Sequence, residues 1–197
     1  MKKYLLLIFS VALLIITSCT ENKQQPVEQN MSGNSIFNLS TVWHNQNGDS
    51  LQFKNLQGKT LVVVMIYTSC KSACPILVAK MKTIESKISR KDIEKVSLVL
   101  VSIDPETDTP EHLKEFAKTN KMEEPQWIFL SSNEEATQEF ANVLSMKYKK
   151  ISPIDFSHSN IITIFNPKGV MVSQEEGLEI NVDNVVNTVS KTVKEFK

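Results

Sequence analysis

Apolar positions along the chain fall into short runs separated by polar segments. Two runs, residues 61–67 and 96–103, are continuous and rich in β-branched side chains, which is typical of strands covered on both faces. Residues 127–130 and 161–165 predict two shorter strands of the same kind. Upstream of them, Asn47-Gly48 lies between short apolar stretches and predicts a β-hairpin.

Between these strands the apolar residues recur at helical spacing. A helix is expected from Pro75, because the apolar residues that follow it are three or four positions apart. Further helices are expected at residues 111–118 and at 133–145, the latter capped by Asn133. A last strand at 170–172 precedes a final helix, whose apolar face comprises Val182, Val185, Val186, Val189, Val193 and Phe196.

The order of these elements predicts an α/β fold with a mixed central sheet flanked by helices and an N-terminal β-hairpin. Two cysteines, Cys70 and Cys74, come at the end of the first buried strand and open the next helix. Thioredoxin-like proteins place their cysteines at this position. We therefore expect residues 36–197 to form one thioredoxin-like domain.

The N-terminus has the features of an export signal. Lys2 and Lys3 precede an apolar run that is too short to span a bilayer, so residues 1–18 are interpreted as a signal peptide. The run ends at Ser18-Cys19, which resembles a lipobox, and Cys19 is the predicted lipidation site. The alternative is an ordinary secretory signal with an incidental cysteine. A lipid on Cys19 would anchor an exported protein to a membrane, facing the periplasm or the cell exterior.

Composition bears on the segment after the signal peptide and on the kinds of partner the protein has. Residues 19–35 are rich in Asn, Gln, Ser and Glu, which predicts a flexible tether. Lys plus Arg and Asp plus Glu both number 22, so the formal net charge is zero and nothing indicates a nucleic-acid partner.

The remaining two cysteines point to a local site. Cys70 and Cys74 are four residues apart, which would place both thiols on one face of a helix. Such a pair is more often a redox or metal site than a disulfide that stabilises the fold. Two buried apolar cysteines are the alternative, but the pair lies beside a loop and Pro75 instead of within the apolar face.

A histidine could complete a metal site with these thiols. His44 and His112 are expected to be solvated surface residues, whereas His158 directly precedes the strand at 161–165, opposite the cysteines in a thioredoxin-like sheet. Two thiolates and one imidazole suit copper, and structural zinc usually has four protein ligands. No suitably placed fourth Cys or His is present in the sequence, so copper is favoured.

Three segments together resemble the SCO/SenC family of copper-delivery proteins of cytochrome c oxidase assembly. The resemblance covers roughly residues 40–195. It rests on an aromatic-Thr-x-Cys-x-x-x-Cys-Pro motif at 67–75, an Asp-Pro-acidic loop at 104–110, and His158-Ser159 followed by a strand and turn. By resemblance, Cys70, Cys74 and His158 are the copper ligands, and the partner is the oxidase subunit that carries the CuA site.

Two departures from the family pattern bear on the surroundings of the site. Many members carry Asp directly before the His, where this chain has Ser157, with Asp155 three positions before His158. Thr107 stands where a basic residue is common. A carboxylate that supports the histidine is therefore expected to be missing or displaced. Asp104 and Asp108 are interpreted as loop caps and turn formers, not as ligands.

The resemblance implies a metallochaperone that delivers copper to CuA. The alternative is an enzyme, a thiol-disulfide oxidoreductase that reduces partner cysteines before they receive metal, so the status as an enzyme stays open. A thiol peroxidase is a third possibility, against which the lack of a Thr-x-x-Cys arrangement argues. His158 discriminates between the first two, because a metal carrier needs the imidazole and a dithiol exchanger does not.

Overall fold

The structure is a computed structural model that describes residues 33–196. The predicted signal peptide, Cys19 and the tether up to residue 32 lie outside the described residues, and the predicted domain boundaries stay a prediction. No helix within the described part of the chain is both long and apolar enough to cross a membrane.

Nine strands, four α-helices and three short 3₁₀ turns are present within residues 33–196. The strands are β1 (Trp43–Asn45), β2 (Ser50–Leu51), β3 (Thr60–Ile66), β4 (Val96–Ser102), β5 (Trp127–Ser131), β6 (Tyr148–Ser152), β7 (Asp155–His158), β8 (Ile161–Phe165) and β9 (Met171–Glu176). The helices are α1 (Ala73–Lys87), α2 (Pro110–Thr119), α3 (Glu134–Val143) and α4 (Val182–Glu195).

Seven of the strands form one mixed sheet in the order β2-β1-β5-β4-β3-β8-β9. β3, β4 and β5 are parallel, and the strands on both sides of them run antiparallel to their neighbours. β1 and β2 pair as the predicted N-terminal hairpin. The mixed sheet and the order of its elements confirm the predicted α/β class.

The two long apolar runs form the centre of the sheet. Every residue of β3 and β4 is buried, as their unbroken β-branched sequences predicted. Because β3, β4 and β5 are parallel, their carboxyl ends meet at one edge of the sheet. That edge carries the segments after β3, β4 and β5, and the cysteines follow β3 directly.

Two helices begin at side-chain caps, of which the sequence indicated Asn133. Asn133 accepts a hydrogen bond from the backbone N–H of Ala136 at the start of α3. Thr109 caps α2 in the same way, with Pro110 in the first turn. Lys80 in α1 donates to the Ile180 carbonyl at 2.9 Å, which ties α1 to the segment before α4.

One element has no counterpart in the sequence prediction. β6 and β7 form a separate two-stranded hairpin that projects between α3 and β8, where the sequence indicated only a loop before β8. Four of the five residues of β6 are exposed, among them Lys149 and Lys150. The segment therefore lacks the apolar alternation by which a strand is recognised.

Candidate metal centre

The two cysteines lie at the junction between β3 and α1. Cys74 is the second residue of α1, but Cys70 precedes the helix, so the prediction that both share a helical face is wrong. The thiols still meet, because the Cys70 Sγ accepts a hydrogen bond from the backbone N–H of Cys74 at 3.4 Å. Ser72 makes no side-chain cap, and the sulfur of Cys70 satisfies one of the open N–H groups of the first turn.

His158 is the last residue of β7, and its ring lies against the cysteines. Its Nε2 is 3.6 Å from the Cys74 Sγ, and its Nδ1 is 3.0 Å from the carbonyl oxygen of Ser159. Because a carbonyl only accepts, Nδ1 carries the proton of the neutral ring. The lone pair of Nε2 is therefore directed towards the sulfur.

These three side chains are the only His, Cys, Asp or Glu group in residues 33–196 whose ligand atoms converge on one point. Both sulfurs and an imidazole nitrogen lie within 4.8 Å of one another. Metal bonds of about 2.3 Å to sulfur and about 2.0 Å to nitrogen would separate two such ligand atoms by roughly 3.5 to 3.7 Å. The separation between Cys74 and His158 already matches, so the donor set fits one thiophilic ion without a large rearrangement.

The two thiols differ in their electrostatic environment. Burial opposes ionisation of Cys70, but hydrogen bonds from the backbone of Cys74 and Ser72 and from neighbouring side chains outweigh it and lower the pKa of Cys70 to about 6. Burial raises the pKa of the Cys74 thiol, and the adjacent Cys70 thiolate and Asp108 add to this. Cys70 is therefore the more readily ionised thiol of the pair, and Cys74 the less readily ionised one.

The buried carboxylate of Asp108 holds the cysteine loop. Asp108 is fully buried and accepts hydrogen bonds from the Thr68 hydroxyl at 2.5 Å, the Thr68 backbone N–H at 3.2 Å and the Ser102 hydroxyl at 2.6 Å. Burial raises the pKa of Asp108, and these hydrogen bonds act in the opposite direction. Asp108 thus connects the end of β4 to the segment that carries Cys70, a role beyond the turn former that the sequence suggested.

The carboxylate before the histidine is displaced, as the sequence analysis anticipated. Asp155 accepts a hydrogen bond from the hydroxyl of Tyr67, while the Nδ1 of His158 contacts the Ser159 carbonyl instead. Nothing in the sequence indicated that Tyr67 and Asp155 would meet, since 88 positions separate them.

The other two histidines lie on the surface, away from the cysteines. His44 is exposed and its Nδ1 lies 3.2 Å from the hydroxyl of Ser50. His112 is exposed and its Nδ1 lies 3.0 Å from the Thr107 carbonyl. Neither histidine belongs to the group that converges with the cysteines.

Two cavities lie beside the hairpin that carries His158. A cavity of about 560 Å³ lies between the hairpin, the start of α3 and the loop that follows β4. Lys150 of β6 spans it, with its Nζ 2.6 Å from Glu106 and 5.7 Å from the centre of the Phe156 ring. A smaller space of about 270 Å³ lies beside His158 itself.

Comparison with known proteins identifies the group to which this site belongs. A model of the SCO1/SenC family matches residues 30–194. The chain belongs to the SCO1/SenC family. The SCO1 protein homolog of Bacillus subtilis is 26% identical over 152 residues, which are 75% of this chain and 78% of that protein.

Solved structures of SCO1/SenC proteins share the fold. Arabidopsis thaliana ScoI with copper bound superposes with a TM-score of 0.69 at 24% identity, covering 79% of this chain and 96% of that one. A SCO1/SenC family lipoprotein from Bacillus anthracis gives a TM-score of 0.71 at 22% identity, covering 80% and 95%. BsSco, described as a cytochrome c oxidase assembly protein with a disulfide switch, gives 0.69 at 26% identity, covering 78% and 91%. These likenesses confirm the predicted thioredoxin-like fold.

Proposed function

We propose that this SCO1/SenC protein binds one copper ion through Cys70, Cys74 and His158 and delivers it to the CuA site of cytochrome c oxidase during assembly. The observation that carries the proposal is the convergence of two sulfurs and one imidazole nitrogen within 4.8 Å. Two thiolates and one imidazole form a soft ligand set that suits copper. Copper is also bound in Arabidopsis thaliana ScoI, which has the same fold.

The number of ligands argues against structural zinc. A structural zinc site is usually closed by four protein ligands, and no fourth Cys, His, Asp or Glu joins the group within residues 33–196. A three-ligand site leaves a coordination position to which a ligand of a partner could bind before the ion leaves. Delivery to another protein requires such an intermediate.

Delivery to an oxidase also requires the protein to be at the correct membrane surface. The predicted lipid on Cys19 would anchor the exported chain to a membrane without spanning it. The likeness to a Bacillus anthracis lipoprotein of the same family supports this anchor. Replacing Cys19 by Ala should leave the precursor uncleaved and unlipidated. Unchanged membrane fractionation with an unmodified Cys19 would contradict it.

The ligand assignment can be tested with the three histidines of the chain. The full-length protein, reduced and loaded with Cu(I), should bind one copper ion per chain. His158→Ala should lose at least the 10–100-fold in affinity that loss of an outer partner of a metal site costs, since a direct ligand is removed. His44→Ala and His112→Ala are matched controls on the surface and should bind as the wild type does. Wild-type affinity in His158→Ala would refute the assignment.

The asymmetry of the two thiols favours a second candidate function, thiol-disulfide exchange. A thiolate with a lowered pKa beside a buried thiol is the arrangement with which an exchanger attacks a partner disulfide. Cys70 and Cys74 are free thiols whose sulfurs lie within 4.8 Å of each other. We expect them to form a reversible disulfide when an oxidant removes two electrons and two protons. BsSco, with its disulfide switch, supports this expectation.

The two functions make different demands on the same residues. Oxidation to the disulfide should abolish copper binding, because a disulfide offers no thiolate. His158→Ala should still form the disulfide while it loses copper and, with it, oxidase activity in cells. If His158→Ala supports oxidase assembly fully without added copper, thiol-disulfide exchange becomes the better description.

A further inference from the structure

The hairpin that carries His158 has few attachments to the rest of the chain. β6 and β7 pair only with each other, and two-stranded hairpins are marginally stable at best in isolation. The ion pair between Lys150 and Glu106 links the hairpin to the loop after β4, but both side chains are largely exposed and such pairs contribute little. Another contact must therefore position the histidine.

We infer that the Tyr67 hydroxyl and the Asp155 carboxylate form a latch that positions His158 at the metal centre. Tyr67 directly follows β3 and is only 1% exposed. Its hydroxyl donates to the carboxylate of Asp155, the first residue of β7, and accepts from the backbone N–H of Phe156 at 3.3 Å. The latch therefore joins the central sheet to the strand that ends in His158.

The ring of the same tyrosine contacts the ligand side chain. The centres of the Tyr67 and His158 rings are 5.8 Å apart with planes at 84°, an edge-to-face arrangement. Tyr67 also packs against Phe156, with ring centres 5.1 Å apart. One buried side chain thus contacts both the start and the end of β7.

The latch replaces the support that the displaced carboxylate would give. The Nδ1 of His158 reaches only the carbonyl of its own neighbour Ser159, a contact that moves with the hairpin. Tyr67 is fixed by β3 and lies three positions before Cys70. The distance between His158 and Cys74 therefore depends on how Tyr67 holds Asp155. Tyr67 and Asp155 are positioning residues, and neither is a ligand.

This inference rests on the proposed copper site, and a cycle of variants tests it. Tyr67→Phe keeps the ring and removes only the hydroxyl, and Asp155→Ala removes its partner. Each should lower the Cu(I) affinity of the reduced full-length protein about tenfold, and the double variant should lose little more, because the two groups act as one. Tyr148→Phe removes a hydroxyl from the same hairpin and is the matched control, with affinity unchanged.

The His158→Ala background separates positioning from general structural damage. The Tyr67 hydroxyl also forms a hydrogen bond with Cys70, so Asp155→Ala is the cleaner variant in that background. It should cause no further loss of copper affinity there, because Asp155 reaches the site only through the hairpin that carries His158. An equal tenfold loss in both backgrounds would overturn the inference, and so would an unchanged affinity in Tyr67→Phe.

A measurement without copper tests the latch independently of the proposed function. In the reduced, metal-free protein, Tyr67→Phe should accelerate amide hydrogen exchange at Phe156 about tenfold and leave the amides of β3 unchanged. If the wild type binds no copper but this acceleration occurs, the proposed function fails and the latch on the hairpin stands. If exchange at Phe156 is unaffected, the latch itself is refuted.

Discussion

The metal centre is assembled from two parts that are held in very different ways. The cysteine half, residues 67–74, continues a central strand whose residues are all buried, and the residues Cys70 and Cys74 are 8% and 2% exposed. Asp108 accepts two hydrogen bonds from Thr68 of this half and a third from Ser102 of β4. The histidine half, β6 and β7, forms its own small sheet, and at its tip Ile151 and Ile154 are 59% and 74% exposed.

This difference suits the proposed copper delivery, in which the protein both holds an ion and releases it. The cysteine half is part of the core and opens only with large parts of the fold. The histidine half can move at a lower free-energy cost, because few buried contacts restrain it. Release of the ion is therefore expected to begin with the histidine, while both thiolates stay in place.

The largest expected effect is on copper binding when the cysteine half is broken. Cys74→Ser replaces a soft thiolate by a hydroxyl that does not ionise, so the affinity for Cu(I) should fall by more than the roughly 100-fold upper value for outer partners of a metal site. The loss should exceed that of His158→Ala. Competition titration of the reduced protein measures both, with Lys71→Ala, an exposed neighbour, as the control. If Cys74→Ser loses less copper affinity than His158→Ala, the histidine half, and not the cysteine half, holds the ion more tightly.

Hydrogen exchange compares the stability of the two halves directly. Amides paired between β6 and β7 should exchange at least about 100-fold faster than those between β3 and β4, because the hairpin opens locally and the central strands open only with global unfolding. Copper loading should slow exchange in the hairpin selectively. Equal protection of both sheets in the metal-free protein would show that the histidine half is as rigid as the cysteine half.

Removing the buried support should destabilise the cysteine half. Asp108→Ala leaves two hydroxyl groups and one backbone N–H without their acceptor, which should lower the free energy of unfolding by about 2–3 kcal/mol. Urea denaturation gives the value. The control is Asp183→Ala, which removes an exposed carboxylate paired with Lys87 and should shift the midpoint little. An effect of Asp108→Ala as small as that of the control would mean that the network does not hold the loop.

The unequal thiols of the cysteine half should be visible in their reaction with an alkylating reagent. The pKa of Cys70 is lowered to about 6, so its thiolate fraction, and its rate of alkylation, should rise with pH through about 6 and level off above 7. Cys74 has a raised pKa and should stay unmodified over this range. Mass spectrometry of the separate peptides distinguishes them. A Cys70 midpoint near 8.5, the value of an ordinary thiol, would contradict the assigned environment.

The smallest effect is expected for the exposed ion pair of the histidine half. Lys150→Met removes the link to Glu106, and copper affinity should change by less than about twofold, because exposed pairs contribute little. A titration alongside Tyr67→Phe shows which attachment matters. If Lys150→Met lowers copper affinity as much as Tyr67→Phe does, the ion pair holds the hairpin in place to the same extent as the contact between Tyr67 and Asp155.

The sequence by itself determined the framework of the fold. Unbroken apolar runs predicted β3 and β4, because a strand buried on both faces needs no polar alternation. Asn133 marked the start of α3, because its side chain can accept a backbone N–H that the helix leaves open. The cysteine pair was singled out by its local spacing and His158 by its place directly before β8, and the structure brings all three together.

Only the tertiary structure decided how the site is supported. The hairpin β6–β7 escaped prediction because its exposed lysines carry no apolar period, and Cys70 proved to precede the helix that was expected to contain it. The burial of Asp108 and its partnership with Thr68 depend on two loops that meet only when parallel strands align. Tyr67 and Asp155 are 88 positions apart, and a hydrogen bond over that separation follows from packing, not from any local pattern. Local sequence sets which segments are buried, whereas contacts between distant segments set the positions of the ligands.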